Sequence, residues 1–205
     1  MTLSIWFSLF TICLLGAMSP GPSLAIVMKH SLAGSRLNGL ATAWAHAAGI
    51  GVYALISLLG LAVVFHQLPM LFKAISYAGA AYLAYLGFNA LRSKGGIAEK
   101  MELGHAVSVF QSAKEGFLIS ILSPKIALFF AALFSPFVAE VSGLTEKTLM
   151  VATPFLVDGL WYTLMTLLLS SPLLLARLRR NAVIIDRLSG VMLMLLALHI
   201  LLSVS

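Results

Sequence analysis

Charge is what this sequence has least of: of its 205 residues only 10% are charged while 60% are hydrophobic, whereas a soluble domain carries roughly 25% charged residues. That excludes a water-soluble globule and leaves no room for a soluble domain beside the apolar segments. Cysteine is also scarce. Cys13 stands alone, which excludes an intramolecular disulfide, a paired-thiol relay and a thiolate metal cage. There is no His-Glu-x-x-His zinc motif, no Gly-x-Ser-x-Gly elbow and no tract of paired carboxylates, so an enzyme finds little support and no cofactor is expected. A phosphate-cradling glycine loop is missing too, which excludes ATP drive within this chain. Lys and Arg outnumber Asp and Glu by 13 to 7, but in so apolar a chain the surplus reads as a topology signal, not as a nucleic-acid footprint. No Lys or Arg precedes the first apolar run, and Pro20 follows the small-residue stretch Ala17-Met18-Ser19. The first run is therefore expected to be a retained membrane helix and not a cleaved leader.

What is present is apolar length. Stretches at roughly 4–28, 39–65, 68–91, 115–138, 149–175 and 183–204 can each cross a ~30 Å hydrocarbon layer at 1.5 Å per residue. The fold expected is an all-α membrane protein of six transmembrane helices in a lipid bilayer. Orientation follows from the basic residues, which are retained on the cytoplasmic side. The first, third and fifth connections hold Lys29, Arg36, Arg92, Lys94, Lys100, Lys114, Arg177, Arg179, Arg180 and Arg187, against Lys73 and Lys147 opposite. Both termini are thus expected on the non-cytoplasmic side.

The two halves resemble each other. Ser19-Pro20 matches Ser123-Pro124, Tyr53 to Leu59 parallels Tyr162 to Leu168, and Gly79 parallels Gly190. Three spans per copy turn the second copy upside down, so the chain reads as one transporter domain over 1–205. It comprises an inverted repeat of about 1–92 and about 114–205 joined by a linker of about 93–113. Ser76, Gly79, Ala80, Ala84 and Gly87 share one face of the third span, which suits close helix packing and would permit a homodimer.

Chemistry concentrates at two interruptions. Pro20-Gly21-Pro22 breaks the first span: proline removes a donor and clashes with the preceding turn, so nearby carbonyls lose their partners. The helix restarting at Ser23 presents free N–H groups and a positive dipole end, a seat for a carboxylate. Ser123-Pro124-Lys125 is the counterpart in the fourth span, at a similar depth. Two interrupted helices meeting near the midplane is how many secondary transporters build a substrate site. Lys125 and Asp158 are the formally charged residues well inside spans, at roughly 2.5–3.5 kcal/mol each. Two readings stand for them: a buried pair neutralising itself, or a lysine holding an anionic group while Asp158 meets an ammonium group or carries a proton. His46 and His199 sit singly in apolar spans, without the neighbours a metal site would need.

With those residues in view, the chain resembles the LysE/RhtB family of bacterial amino-acid exporters along essentially its whole length. Pro20-Gly21-Pro22 followed by Ser31 to Arg36 and Gly39 looks like the family's opening signature. Gly116-Phe117-Leu118 through Ser123-Pro124-Lys125 to Phe130 looks like its second, and Gly79 to Gly87 and Asp158 to Tyr162 also fit. The chain departs from the family in having Ser123 where Asn is usual, Ser23 where Asn or another polar residue is frequent, and Ile50 where some members have Asp. The missing acid disfavours a dibasic substrate, and the resemblance then implies an inner-membrane secondary transporter exporting small neutral amino acids or their analogues, driven by exchange with protons. On that reading Pro20, Gly21, Pro22, Ser23, Ser123, Pro124 and Lys125 bind substrate, and Asp158 binds the ammonium or couples protons. The alternative is a passive pore or a regulatory membrane protein with a purely structural charged pair.

Overall fold

The computed structural model describes residues 2–19, 21–92, 107–135, 143–169 and 172–204. Pro20, residues 93–106 of the expected linker and the connection 136–142 lie outside them. Among the described residues the fold is all-helical, without strands. The first apolar stretch is two helices, α1 (Leu3–Met18) and α2 (Pro22–Ala33), bent by 62°. Next come α3 (Arg36–Gln67) and α4 (Pro69–Leu91), divided at Leu68, where proline at the first helical position starts α4. The fourth stretch is again a pair, α5 (Val109–Ile121) and α6 (Pro124–Phe134), bent by 56°. Last are α7 (Leu144–Leu169) and α8 (Pro172–Val204).

Residues Arg36–Gly60 of α3 and the whole of α7 are long and apolar enough to cross a membrane singly, and each bent pair can count as one span, giving up to four by length and composition. The 23-residue α4 and 33-residue α8 have the length for two more. α8 departs from the sequence reading. Arg177, Arg179, Arg180 and Arg187, read as the basic residues of the fifth connection, belong to the helix. The reason is local: Leu, Ala and Arg are strong helix formers, and no Gly or Pro interrupts the chain between Pro172 and Gly190.

The surface is apolar at helical spacing. Leu149, Leu156, Leu160, Leu164 and Leu167 form an exposed stripe on α7, and Val52, Leu55, Ile56 and Leu59 another on α3. Buried positions instead include Asn38, Thr42, His46, Asp158 and Thr166. Apolar outside with polar groups inside is the arrangement lipid favours, since lipid cannot satisfy a hydrogen bond. The small-residue face of α4 is turned inward. Ser76, Gly79, Ala80 and Gly87 are buried, and α4 packs on α8 and α6. A Cβ at Gly87 would lie 2.8 Å from the Gly190 carbonyl oxygen, and one at Gly190 would lie 2.7 Å from that of Gly87. Each glycine lets the other's backbone approach, so this face is occupied within the chain.

Candidate substrate site

The first break is built from backbone upward. α1 ends at Ser19, and α2 starts after Gly21, which offers its first turn no side-chain cap, with Pro22 at the first helical position. Among the described residues the early amides of α2 thus have no side-chain cap, next to the positive end of the helix. The second break differs: Ser123 caps α6, its hydroxyl accepting from the Ile126 N–H at 3.4 Å. Lys125, one residue into α6 beyond Pro124, reaches across to the first break and donates from Nζ to Ser19 Oγ at 3.1 Å. A Cβ at Gly21 would lie 3.3 Å from the same Nζ. The two interruptions, 106 residues apart at these hydrogen-bonded side chains, therefore meet.

They meet at an internal cavity of about 50 Å³ whose wall includes Ser19, Ser23, His46, Lys125, Asp158 and Tyr162. That is room for a few waters and well below the roughly 300–1,000 Å³ of ordinary ligand pockets. Pro22 and Ser123 line a second, more open recess of about 440 Å³ between α2 and the α5–α6 break. Of the expected site residues, Ser23, Lys125 and Asp158 share the cavity wall; Gly21 adjoins Lys125; Pro22 and Ser123 face the neighbouring recess. Pro124 starts α6, and Pro20 is outside the described residues.

Asp158 has a partner that the sequence analysis did not assign to it. Its Oδ2 lies 2.7 Å from His46 Nδ1, with both side chains buried. His46, set aside as an isolated histidine, is the functional-site candidate that sequence reasoning missed; its only signal was being a polar residue in an apolar span, as Asp158 is. Pro154, inside α7 and also in the cavity wall, was likewise not singled out. Among the described residues no group of three or more His, Cys, Asp or Glu is placed to hold a metal.

One carbonyl at each break has a tyrosine partner. The Tyr162 hydroxyl, on α7, donates to the Ala17 carbonyl at the first break (3.3 Å), and the Tyr53 hydroxyl, on α3, donates to the Ile121 carbonyl at the second (2.7 Å). In a water-poor interior such groups need protein partners.

A polar clasp ties the half-helices at one end. Glu115 Oε2 on α5 accepts from Lys29 Nζ on α2 at 3.0 Å and lies 3.0 Å from His30 Nε2; Gln111 donates to Oε1 at 3.0 Å. Behind it, His30 Nδ1 is 3.2 Å from Ser112 Oγ, which accepts from Asn38 Nδ2 of α3 at 2.9 Å. His30 is buried, so removing Glu115 strips a buried ring nitrogen of its partner. Glu115→Ala is expected to lower stability by about 1–3 kcal/mol, read as a fall of the thermal unfolding midpoint in detergent. An unchanged midpoint would show that the clasp contributes nothing.

Comparison with known proteins decides the class. The family model of the LysE type translocator matches residues 14–204. The chain belongs to the LysE type translocator family. It is a membrane translocator, not an enzyme. The threonine efflux protein of Salmonella typhi is 25% identical over 207 residues, covering 98% of this chain and 99% of that one; the threonine efflux protein of Escherichia coli (strain K12) gives the same figures. A homoserine/homoserine lactone efflux protein of Salmonella typhimurium is 27% identical over 159 residues, 77% of each chain. No solved structure matches.

Proposed function

We propose that this translocator exports small neutral amino acids or their analogues, threonine and homoserine foremost, across the bacterial inner membrane in exchange for protons. The observation that carries the reading is the convergence of Lys125, the uncapped start of α2 and Asp158 on one cavity. An amino acid crosses as a zwitterion: its carboxylate needs donors, which Lys125 and the α2 amides offer, and its ammonium needs an acceptor, which Asp158 offers. Ser19 and Ser23 are hydroxyl partners on the same wall, suited to a small polar side chain. The names of the relatives, threonine and homoserine efflux proteins, point the same way.

The architecture that goes with this is a single domain of six spans in two inverted repeats, about 1–92 and about 114–205. The tyrosine bonds support it: each half's tyrosine serves the break of the other half. Tyr53 and Tyr162 are matched in the repeat, and so are Ala17 and Ile121, which stand at the same spacing as Ser19 and Ser123. With both ends outside, an impermeant thiol reagent should label a cysteine placed at Leu144 and miss one placed at Gly95; labelling at Gly95 would overturn the orientation.

The test of function is transport. In proteoliposomes, an imposed pH gradient should drive labelled L-threonine against its concentration. Flux that ignores the gradient would favour a pore. Metabolite profiles of the medium from cells with and without the protein, fed dipeptides to raise internal pools, would then identify the natural substrate.

A further inference from the structure

One polar atom in the cavity region has no task in the reading above. His46 Nε2 is buried and has no hydrogen-bond partner among the described residues, although the ring lines the cavity and its other nitrogen is held by Asp158 at 2.7 Å. Burying a polar atom without a partner is costly, so such an atom calls for an explanation. The short contact to Asp158 supplies one. With Asp158 ionised, Nδ1–H donates to the carboxylate and fixes the tautomer, leaving a lone pair on Nε2. A proton there makes the pair imidazolium and carboxylate, with no net charge. Without it the pair carries one buried negative charge, which demands another counter-charge.

The surroundings offer few alternatives. From α1, Cys13 lines the cavity; from α6, Lys125, bonded to Ser19 and the cation assigned above to the substrate's carboxylate; from α7, Tyr162, whose ring meets that of His46 edge-on at 5.2 Å and whose hydroxyl donates to Ala17. Leu86 of α4 and Leu193 of α8 bring no charge. Among the described residues Asp158 is the one carboxylate and His46 the one imidazole in the wall.

We propose that His46 and Asp158 form a proton-carrying dyad in which a proton on His46 Nε2 and the ammonium of the exported amino acid are alternative counter-charges for Asp158, one proton per amino acid. This rests on the exporter reading and deepens it. When the site is open to the cytoplasm, an ammonium arriving at Asp158 makes a second positive charge beside the imidazolium. The Nε2–H bond then breaks and the proton passes to cavity water and out to the cytoplasm. When the site is open outward, a proton from outside re-forms the bond and the amino acid leaves. Neither oxidant nor further reactant is required.

The test uses the intact chain in proteoliposomes, with L-threonine as probe. Wild type should exchange one proton for each threonine moved in the opposite direction, counted with a trapped pH dye. His46→Asn keeps a donor for Asp158 but cannot titrate. It should lose gradient-driven accumulation by about ten-fold or more, while gradient-free threonine counterflow remains measurable; Asp158→Asn, which also removes the ammonium's acceptor, should lose both. His46→Asn with full gradient-driven accumulation, or a wild-type ratio of two protons, would overturn the dyad. Wild type indifferent to the gradient would instead sink the exporter reading itself. Should His46→Asn fail to fold, ¹⁵N-histidine spectra of wild type decide: threonine added at fixed pH should move His46 Nε2 from its protonated to its bare signature, and an unmoved signal refutes the proposal.

Discussion

Gly21→Leu is expected to abolish export while the protein still inserts and folds. The reason is space, not backbone strain. Gly21 has φ 178° and ψ −171°, an extended conformation open to any residue, so a side chain there meets no conformational penalty. It meets Lys125 instead. Even a methyl group would stand 3.3 Å from the ammonium, and a leucine would push that ammonium off Ser19 and lay an apolar side chain over the start of α2, where a carboxylate would bind. The cavity, about 50 Å³, has little slack to absorb the displacement. A group displaced by about 1 Å can cost roughly a hundred-fold in rate, so threonine flux should fall by that order or below detection. Gly21→Ala, which asks Lys125 to give only a few tenths of an ångström, should be intermediate. Flux, membrane abundance and gel-filtration profile are measured together; a normally exporting Gly21→Leu protein would mean that substrate does not pass the first break.

Lys125→Ala should weaken threonine binding without abolishing the pH response. Loss of a charge-assisted hydrogen bond to the carboxylate costs about 1.5–3 kcal/mol, which is roughly a ten- to hundred-fold rise in the threonine concentration needed for half-maximal transport. The same change removes the donor that bridges the two breaks, so folded yield must accompany the kinetics. Ser19→Ala is the control: it removes the acceptor and leaves the cation, and should raise the half-maximal concentration much less. If both variants fall equally, Lys125 holds the breaks together and does not hold substrate.

These expectations draw on two kinds of information that the molecule keeps apart. The apolar runs, the proline interruptions and the direction of the basic residues are properties of neighbouring positions, and they are legible in the chain because each depends on local chemistry: proline removes a backbone donor wherever it lies, a glycine between two prolines cannot restore the helix, and hydrocarbon demands a certain length. Both breaks, and the involvement of Ser23, Lys125 and Asp158 in one wall, were within reach of that logic. The partner of Asp158 was not. His46 is 112 residues away, and its helix carries no pattern that distinguishes a histidine facing an acid from one facing a leucine. Nor could spacing say that Tyr53 and Tyr162 would each bond to the other half's broken helix, or that the small face of α4 would be taken up by α6 and α8. Helical periodicity tells which residues share a face; which face meets which is settled only when helices pack, because a buried polar group takes whatever partner the packing brings within about 3 Å of it.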